Sequence, residues 1–518
     1  MDPSDPTAGS TAPLLKWWIA LTLSLGMLSV ALSITAVSIA IPSIMVSLAA
    51  SLDKIQWVLT GPMITKTVLM PSVGWLGGRI GDRRLFILST SVFTAGSLLC
   101  SLAWDANSLV LFRIVQAVGS GPMVAVAMSI MFEAFPKRER GLAMGLLMTG
   151  WSIGPFFGPL LGGYLVQYVH WRAIFYVNIP AGVLSIVAAS FLLPRTRGKG
   201  GGPFDFPGFL TLTGGTVLLL LALSLGHEQG WGGRLIVSLF SLSALLLFFF
   251  VVLELGSEAP YVELRHFRNL DFALSNFIVF FRVAGFRGAN FMISLFLQKG
   301  LNYTPLQAGI FLLPGAVMTG VCSPLVGMLS DRVGPRIPMI GGFVILVVTL
   351  YGFSQISLWS SAATILFLVG LKSVGQSSLN APLNAVALSS LPEGKARMGS
   401  GIVGMTRGLG EAFGITVLSL FLERTTFFNL TVLNPAQVSR LSGSGRSDVL
   451  SKIQEMLIQA GEYGLALPNK ALSLLSHSLL NEAATQAYHH LFLLIGVMYG
   501  ILMITVLLLR LEKSQGAA

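Results

Sequence analysis

Apolar stretches of about 20 residues, enough for a helix to cross a ~30 Å hydrocarbon core, recur along the whole chain. They cover residues 17–43, 56–77, 84–104, 107–132, 141–166 and 173–194, then 207–226 and 233–255. The last group covers 270–297, 306–330, 337–358, 361–386, 398–421 and 488–510. Short turns rich in Gly, Pro, Lys and Arg separate them. The pattern predicts an all-α polytopic membrane protein with fourteen transmembrane helices in a six, two, six arrangement. The corresponding parts are a tail (1–16), a six-helix bundle (17–194) and a linker with two extra helices (195–269). A second six-helix bundle (270–510) and a final tail (511–518) complete the chain.

Composition supports a bilayer as the solvent. Of 518 residues 53% are hydrophobic and 11% charged, against roughly 25% charged in a soluble domain. The net charge is +11, yet the bases sit mainly in short loops, which points to membrane topology and not to a nucleic-acid partner. With the N-terminus inside, eighteen loop Lys and Arg fall on the inner side and four in the short outer loops, Lys54, Arg172, Arg234 and Lys299. Both termini are therefore expected in the cytoplasm, and the chain in the inner membrane. Residues 422–487 then form a long outside excursion. Val449, Ile453, Leu457 and Ile458 fall at helical spacing there, which suits short amphipathic helices: either a solvated loop against the membrane or a docking surface for a periplasmic membrane-fusion adaptor.

Internal repetition follows the six, two, six division. Gly74-Trp-Leu-Gly-Gly-Arg-Ile-Gly81-Asp-Arg83-Arg84 follows the second span, and Gly327-Met-Leu-Ser-Asp331-Arg332-Val-Gly334-Pro-Arg336 the tenth. The same device in corresponding places is what a duplicated transporter bundle would carry. Three further elements stand out. They are Arg113-Ile-Val-Gln116-Ala-Val-Gly119, Gly154-Pro155-Phe-Phe-Gly158-Pro159-Leu-Leu-Gly162-Gly163, and Trp171-Arg172-Ala-Ile-Phe175-Tyr-Val-Asn178-Ile-Pro180. In these motifs the chain resembles the major facilitator superfamily, and within it the fourteen-span drug:proton antiporters of the EmrB/QacA type. The resemblance implies alternating access between two halves, gated by Gly74, Gly81, Arg83, Gly154, Pro155, Gly158, Pro159, Gly327, Asp331, Arg332 and Gly334. It also implies a role for Arg113 in proton coupling. Small residues let helix backbones approach closely in lipid, so the glycines of 154–163 read as a packing seam for rocking halves. Two departures stand against the pattern: Gly78 replaces the Asp of the first turn, and Ser33 the usual first-span acid.

Charges inside a span cost about 2.5–3.5 kcal/mol on insertion scales and so mark functional candidates. Six bases remain once the loops are removed, Lys66, Arg113, Arg282, Arg287, Lys372 and Arg407, against one acid well inside a span, Glu411. Lys66, Arg282 and Lys372 lie roughly 15–18 Å deep, at 1.5 Å per residue. In a pseudo-symmetric bundle they could share one cavity with Gln376 and Asn380, contacting substrate. Arg407 and Glu411 stand one turn apart and can pair, either neutralising each other or forming a coupled proton site.

The favoured reading is a secondary transporter exporting an amphipathic small molecule, with the base excess arguing for an anionic or lipid-like substrate and the resemblance implying exchange against protons. A multidrug pump for cationic or neutral drugs, and a membrane sensor or scaffold, are the alternatives. No phosphate-binding loop, metal-ligand spacing or nucleophile–base arrangement falls at span depth, so no cofactor, metal or enzymatic role is expected. The topology is testable by impermeant thiol reagents in intact cells. Cysteine at position 440 should label and cysteine at 336 should be protected; the reverse pattern would invert the orientation.

Overall fold

The computed structural model describes residues 14–194, 203–257, 260–301, 303–357, 360–392, 394–432, 455 and 467–509. Among them the long elements are all helices. The first half holds α1 (Leu15–Ser47), α2 (Leu52–Leu69), α3 (Val73–Ile80), α4 (Asp82–Ser101), α5 (Ala106–Ala134), α6 (Arg140–Tyr168), α7 (Ala173–Tyr176) and α8 (Asn178–Leu192). Two linker helices follow, α9 (Phe206–Gln229) and α10 (Arg234–Gly256). The second half holds α11 (Leu270–Leu295), α12 (Pro305–Val333), α13 (Arg336–Phe353), α14 (Ala362–Ser389), α15 (Ala396–Val432) and α16 (Leu467–Leu507).

Every predicted apolar stretch coincides with a helix or with two consecutive ones. Among the described residues, twelve are long and apolar enough to cross a membrane. The second stretch is not one unbroken helix: a 3₁₀ turn at Met70–Ser72 separates α2 from α3. One boundary differs from the sequence reading. Helical structure extends into the segment 422–487 from both sides, since α15 runs on to Val432 and α16 starts at Leu467. Polar residues such as Glu423 and Arg424 end the apolar run without ending the helix, whose backbone bonds are satisfied along its own axis. The Asn429 amide donates to the Ala483 carbonyl at 3.1 Å, so the two extensions pack on each other. The amphipathic pattern from Val449 to Ile458 lies outside the described residues.

The repeated turns match in geometry as well as in sequence. Gly81 has φ 84° and ψ 152°, and Gly334 has φ 86° and ψ 156°. Both lie in a region that side chains with a Cβ seldom adopt, which explains the glycines. The arginine two residues after this glycine also plays one part twice. Arg83 donates to the Ser190 carbonyl near the end of α8. Arg336 donates to the carbonyls of Leu507 and Leu509, at 3.2 and 2.6 Å, at the end of α16. Each guanidinium thus satisfies carbonyls orphaned at a helix C-terminus, where the helix dipole favours a cation. Arg332 is exposed.

The two halves close on each other at the end that carries these turns. A Cβ on Gly141 of α6 would stand 2.5 Å from the Gly327 carbonyl of α12, and one on Gly145 would stand 2.8 Å from Pro324. Asp331 accepts from the backbone N–H groups of Gly141 and Leu142, at 2.7 and 2.8 Å. A carboxylate from one half thereby caps the first turn of a helix in the other. Thr149 continues the contact, donating to the Gly320 carbonyl at 3.0 Å. On the opposite flank Gly78 holds the place of Asp331, and a Cβ there would meet nothing within 4 Å. Asp82, four residues on, supplies the missing acid: its carboxylate pairs with Arg397 of α15 at 2.6 Å. Gly74 lies against Met398 in the same interface.

The glycine seam of α6 is placed differently from the sequence reading. Gly154, Gly158 and Gly162 pack against Ala31, Thr35 and Ala36 of α1, within the first half. The inter-half face is Gly141, Gly145 and Thr149. Five residues separate Thr149 from Gly154, a rotation of about 140° at 100° per residue, so the two faces point to different neighbours. The backbone is helical at Pro155 and Pro159.

Replacing Asp331 by Ala strips two N–H groups of their acceptor, at a cost of about 1–3 kcal/mol. Spin labels at positions 138 and 332 should then show a second, longer distance population that is absent from the unaltered turn. An unchanged distribution would mean that the cap does not hold this end shut.

Candidate functional site

Lys66 is set by a close helix crossing. Gly121 of α5 lies against α2 so tightly that a Cβ there would stand 2.7 Å from the Lys66 carbonyl. The Lys66 side chain is buried, and its ammonium sits 5.5 Å from the centroid of the Trp151 ring on α6. Across the inter-half space Glu411 of α15 pairs with Arg287 of α11 at 2.8 Å. Lys66, Met70, Val124, Trp151, Arg407 and Glu411 line one small cavity. It joins a charged cluster to an aromatic and aliphatic wall, and both halves contribute to it.

Glu411 is therefore paired, but not as the sequence spacing suggested. Arg407, one turn away, instead donates to the Asn384 side-chain oxygen on α14 at 3.1 Å. It also reaches the Met148 sulfur at 3.8 Å. Arg287 reaches the carboxylate from α11, while the Arg407 guanidinium is turned toward Asn384 on α14. Glu411 also stands within electrostatic range of Lys66 and Arg407, so three bases surround one acid.

The three deep bases do not converge on a single point. Arg282 of α11 is buried, 1% exposed, with Arg407 and Glu411 in its electrostatic surroundings. Its own carbonyl accepts from the Tyr499 hydroxyl at 3.0 Å. Lys372 of α14 lies elsewhere, donating to the Asn290 side-chain oxygen and sitting 5.3 Å from the centroid of the Phe286 ring. Gln376 is buried on the same helix and Asn380 half-buried. Lys66 and Arg282 thus belong to one charged neighbourhood with Arg287, Arg407 and Glu411, while Lys372 occupies a separate place inside the second half.

Arg113 forms a third station, within the first half. Its guanidinium donates to the Val58 carbonyl at 3.2 Å, to the Ser33 hydroxyl at 2.9 Å and to the Gln116 side-chain oxygen at 2.5 Å. Gln116 in turn donates to Ser97 at 2.6 Å. Ser33, the residue that replaces the expected first-span acid, is thus a direct partner of the buried arginine. The network ties α1, α2, α4 and α5 together with neutral acceptors alone.

Trp151 was not singled out from the sequence, since an aromatic residue in an apolar span reads as one more lipophilic position. Its one distinguishing sign is its place on α6 between Gly150 and Gly154, both of which pack closely on α1.

The family model described as Major Facilitator Superfamily matches residues 23–415. The multidrug resistance protein Stp of Mycobacterium tuberculosis is 32% identical over 400 residues, 76% of this chain and 73% of that protein. The fatty acid resistance protein FarB of Neisseria gonorrhoeae is 28% identical over 409 residues, 79% of this chain and 81% of that protein. Among solved structures, that of the human organic anion transporter MFSD10 (TETRAN) superposes with a TM-score of 0.59 at 13% identity, covering 94% of this chain and 100% of that one. The extent of the family match, the fold and the duplicated turns agree: the chain belongs to the Major Facilitator Superfamily.

Proposed function

We propose that this protein is a secondary active transporter that moves an amphipathic anion out of the cytoplasm by alternating access. In this reading it crosses the inner membrane fourteen times, with both termini and the closed, turn-bearing end in the cytoplasm. The observation that carries the proposal is the cavity between the halves, where Lys66, Arg287 and Arg407 surround the single carboxylate of Glu411. A site with surplus positive charge repels cations and is relieved by an anionic ligand. Trp151, Met70 and Val124 offer the apolar wall that the rest of such a molecule requires. The name of FarB, a fatty acid resistance protein, is in keeping with a lipid-like acid as substrate.

Protons enter this account through Glu411. Its carboxylate and the anionic group of a substrate draw on the same bases, so occupancy of one bears on the affinity of the other. A second reading, efflux of cationic or neutral drugs, is favoured by the combination of a carboxylate and a tryptophan in one cavity and by the name of Stp.

Two substitutions separate these readings. Glu411→Gln should lower proton-linked transport at least tenfold. The fold should survive, because Gln keeps a side-chain oxygen that can accept from Arg287. Vesicles carrying this variant should show no substrate-induced pH change, and a change equal to the unaltered protein's would place coupling elsewhere. Lys66→Met should weaken binding of an anionic amphiphile about tenfold and leave thermal stability unchanged or higher, since one of several like charges is gone. Tight ethidium binding that is indifferent to this substitution would favour the drug-efflux reading instead.

A further inference from the structure

The second half holds a set of buried donors that lack acceptors. Arg282 is 1% exposed, and its Nε and Nη1 groups meet no hydrogen-bond partner among the described residues. The Nε of Arg407 and the side-chain amide nitrogen of Asn384 are likewise buried without an acceptor. These groups belong together. Arg407 donates through Nη2 to the Asn384 oxygen at 3.1 Å, and Arg282 and Arg407 are within electrostatic range of each other. Three helices, α11, α14 and α15, therefore bring four unused N–H-bearing groups and two like charges into one neighbourhood.

Such an arrangement is costly as it stands. An unpaired buried polar group forfeits its hydration without a replacement bond, and loses more when it is charged. The nearby acid does not relieve it: Glu411 accepts from Arg287, and among the described residues no hydrogen bond joins it to Arg282 or Arg407. Arg282 is held from behind, where its carbonyl accepts from the Tyr499 hydroxyl, which fixes the backbone from which the guanidinium projects. Donors in excess, buried and fixed in place, match an acceptor-only ligand. A guanidinium fork adds the bidentate geometry that carboxylate and phosphate share.

We propose that Arg282, Arg407 and Asn384 form an oxyanion-binding subsite, which takes the carboxylate or phosphate of an amphipathic molecule whose apolar part extends toward Trp151. The subsite rests on the transporter reading given above and refines it. Arg282 and Arg407 hold the charged group, Asn384 orients Arg407 and adds a neutral donor, and Lys372 stands apart with Asn290.

Binding of radiolabelled decanoate to the purified full-length protein in phosphatidylcholine nanodiscs tests the assignment. Arg282→Gln and Asn384→Leu should each weaken decanoate at least tenfold, Arg282→Lys should retain part of the affinity, and Lys372→Met should bind as the unaltered protein does. Melting temperatures of the same samples identify any variant that has lost its fold, in which case Arg282→Lys and Asn384→Leu decide. Exchange of the nanodisc lipid for phosphatidylglycerol separates the two sources of oxyanion. Displacement of decanoate assigns the subsite to a lipid phosphate, and persistence assigns it to a free carboxylate. Undiminished binding in folded Arg282→Gln and Asn384→Leu would overturn the subsite while leaving an anion transporter intact. No decanoate or anionic-lipid binding by the unaltered protein would overturn both.

Discussion

A low-dielectric interior that holds more positive than negative charge is the constraint on which this structure turns. A base placed at mid-span costs about 2.5–3.5 kcal/mol on insertion scales, and the protein meets that cost differently at each position. Arg113 is satisfied by a carbonyl, a hydroxyl and an amide oxygen. Lys372 has one amide oxygen and an aromatic ring, and Lys66 faces the Trp151 ring. Arg287 alone takes the carboxylate of Glu411. Arg282 is left with donors unspent. The gradient runs from complete satisfaction deep in the first half to deficit near the inter-half cavity. A ligand that supplies acceptors there gains what the protein leaves unmade.

Closure of the halves depends on a different economy, of space. Gly141 and Gly327 bring α6 and α12 together so closely that neither admits a side chain. That approach delivers the Asp331 carboxylate onto the first turn of α6. The opposite flank reaches the same end by an ion pair, Asp82 with Arg397. The two locks are not equivalent physically. A carboxylate capping backbone N–H groups is fixed by the helix itself, whereas a side-chain pair holds two flexible partners. The duplicated bundle has thus kept its geometry while losing chemical symmetry at the turn.

Much of this was legible in the sequence. Apolar run length placed the helices, because a bilayer leaves few other solutions for twenty apolar residues. The motif glycines were legible because only glycine tolerates the φ of Gly81 and Gly334. Partner choice was not. The spacing of Arg407 and Glu411 allowed a pair, yet the carboxylate went to Arg287 on another helix. Lys66, Arg282 and Lys372 matched in depth, but depth says nothing of rotation about each helix, and rotation sends Lys372 to Asn290. The α6 glycines were identified as a seam, while the neighbour they meet follows from a five-residue offset that no motif announces. The end of α15 was missed because hydropathy reports where lipid stops and not where a helix stops.

The central claim is that the charged cavity selects an amphipathic anion. Transport into inside-out vesicles carrying the protein tests it most directly, with radiolabelled decanoate and tetraphenylphosphonium offered at equal concentration. The account predicts protein-dependent accumulation of decanoate that is reduced at least tenfold by Arg282→Gln, and no accumulation of tetraphenylphosphonium above empty vesicles. Accumulation of the cation alone, unaffected by that substitution, would contradict it.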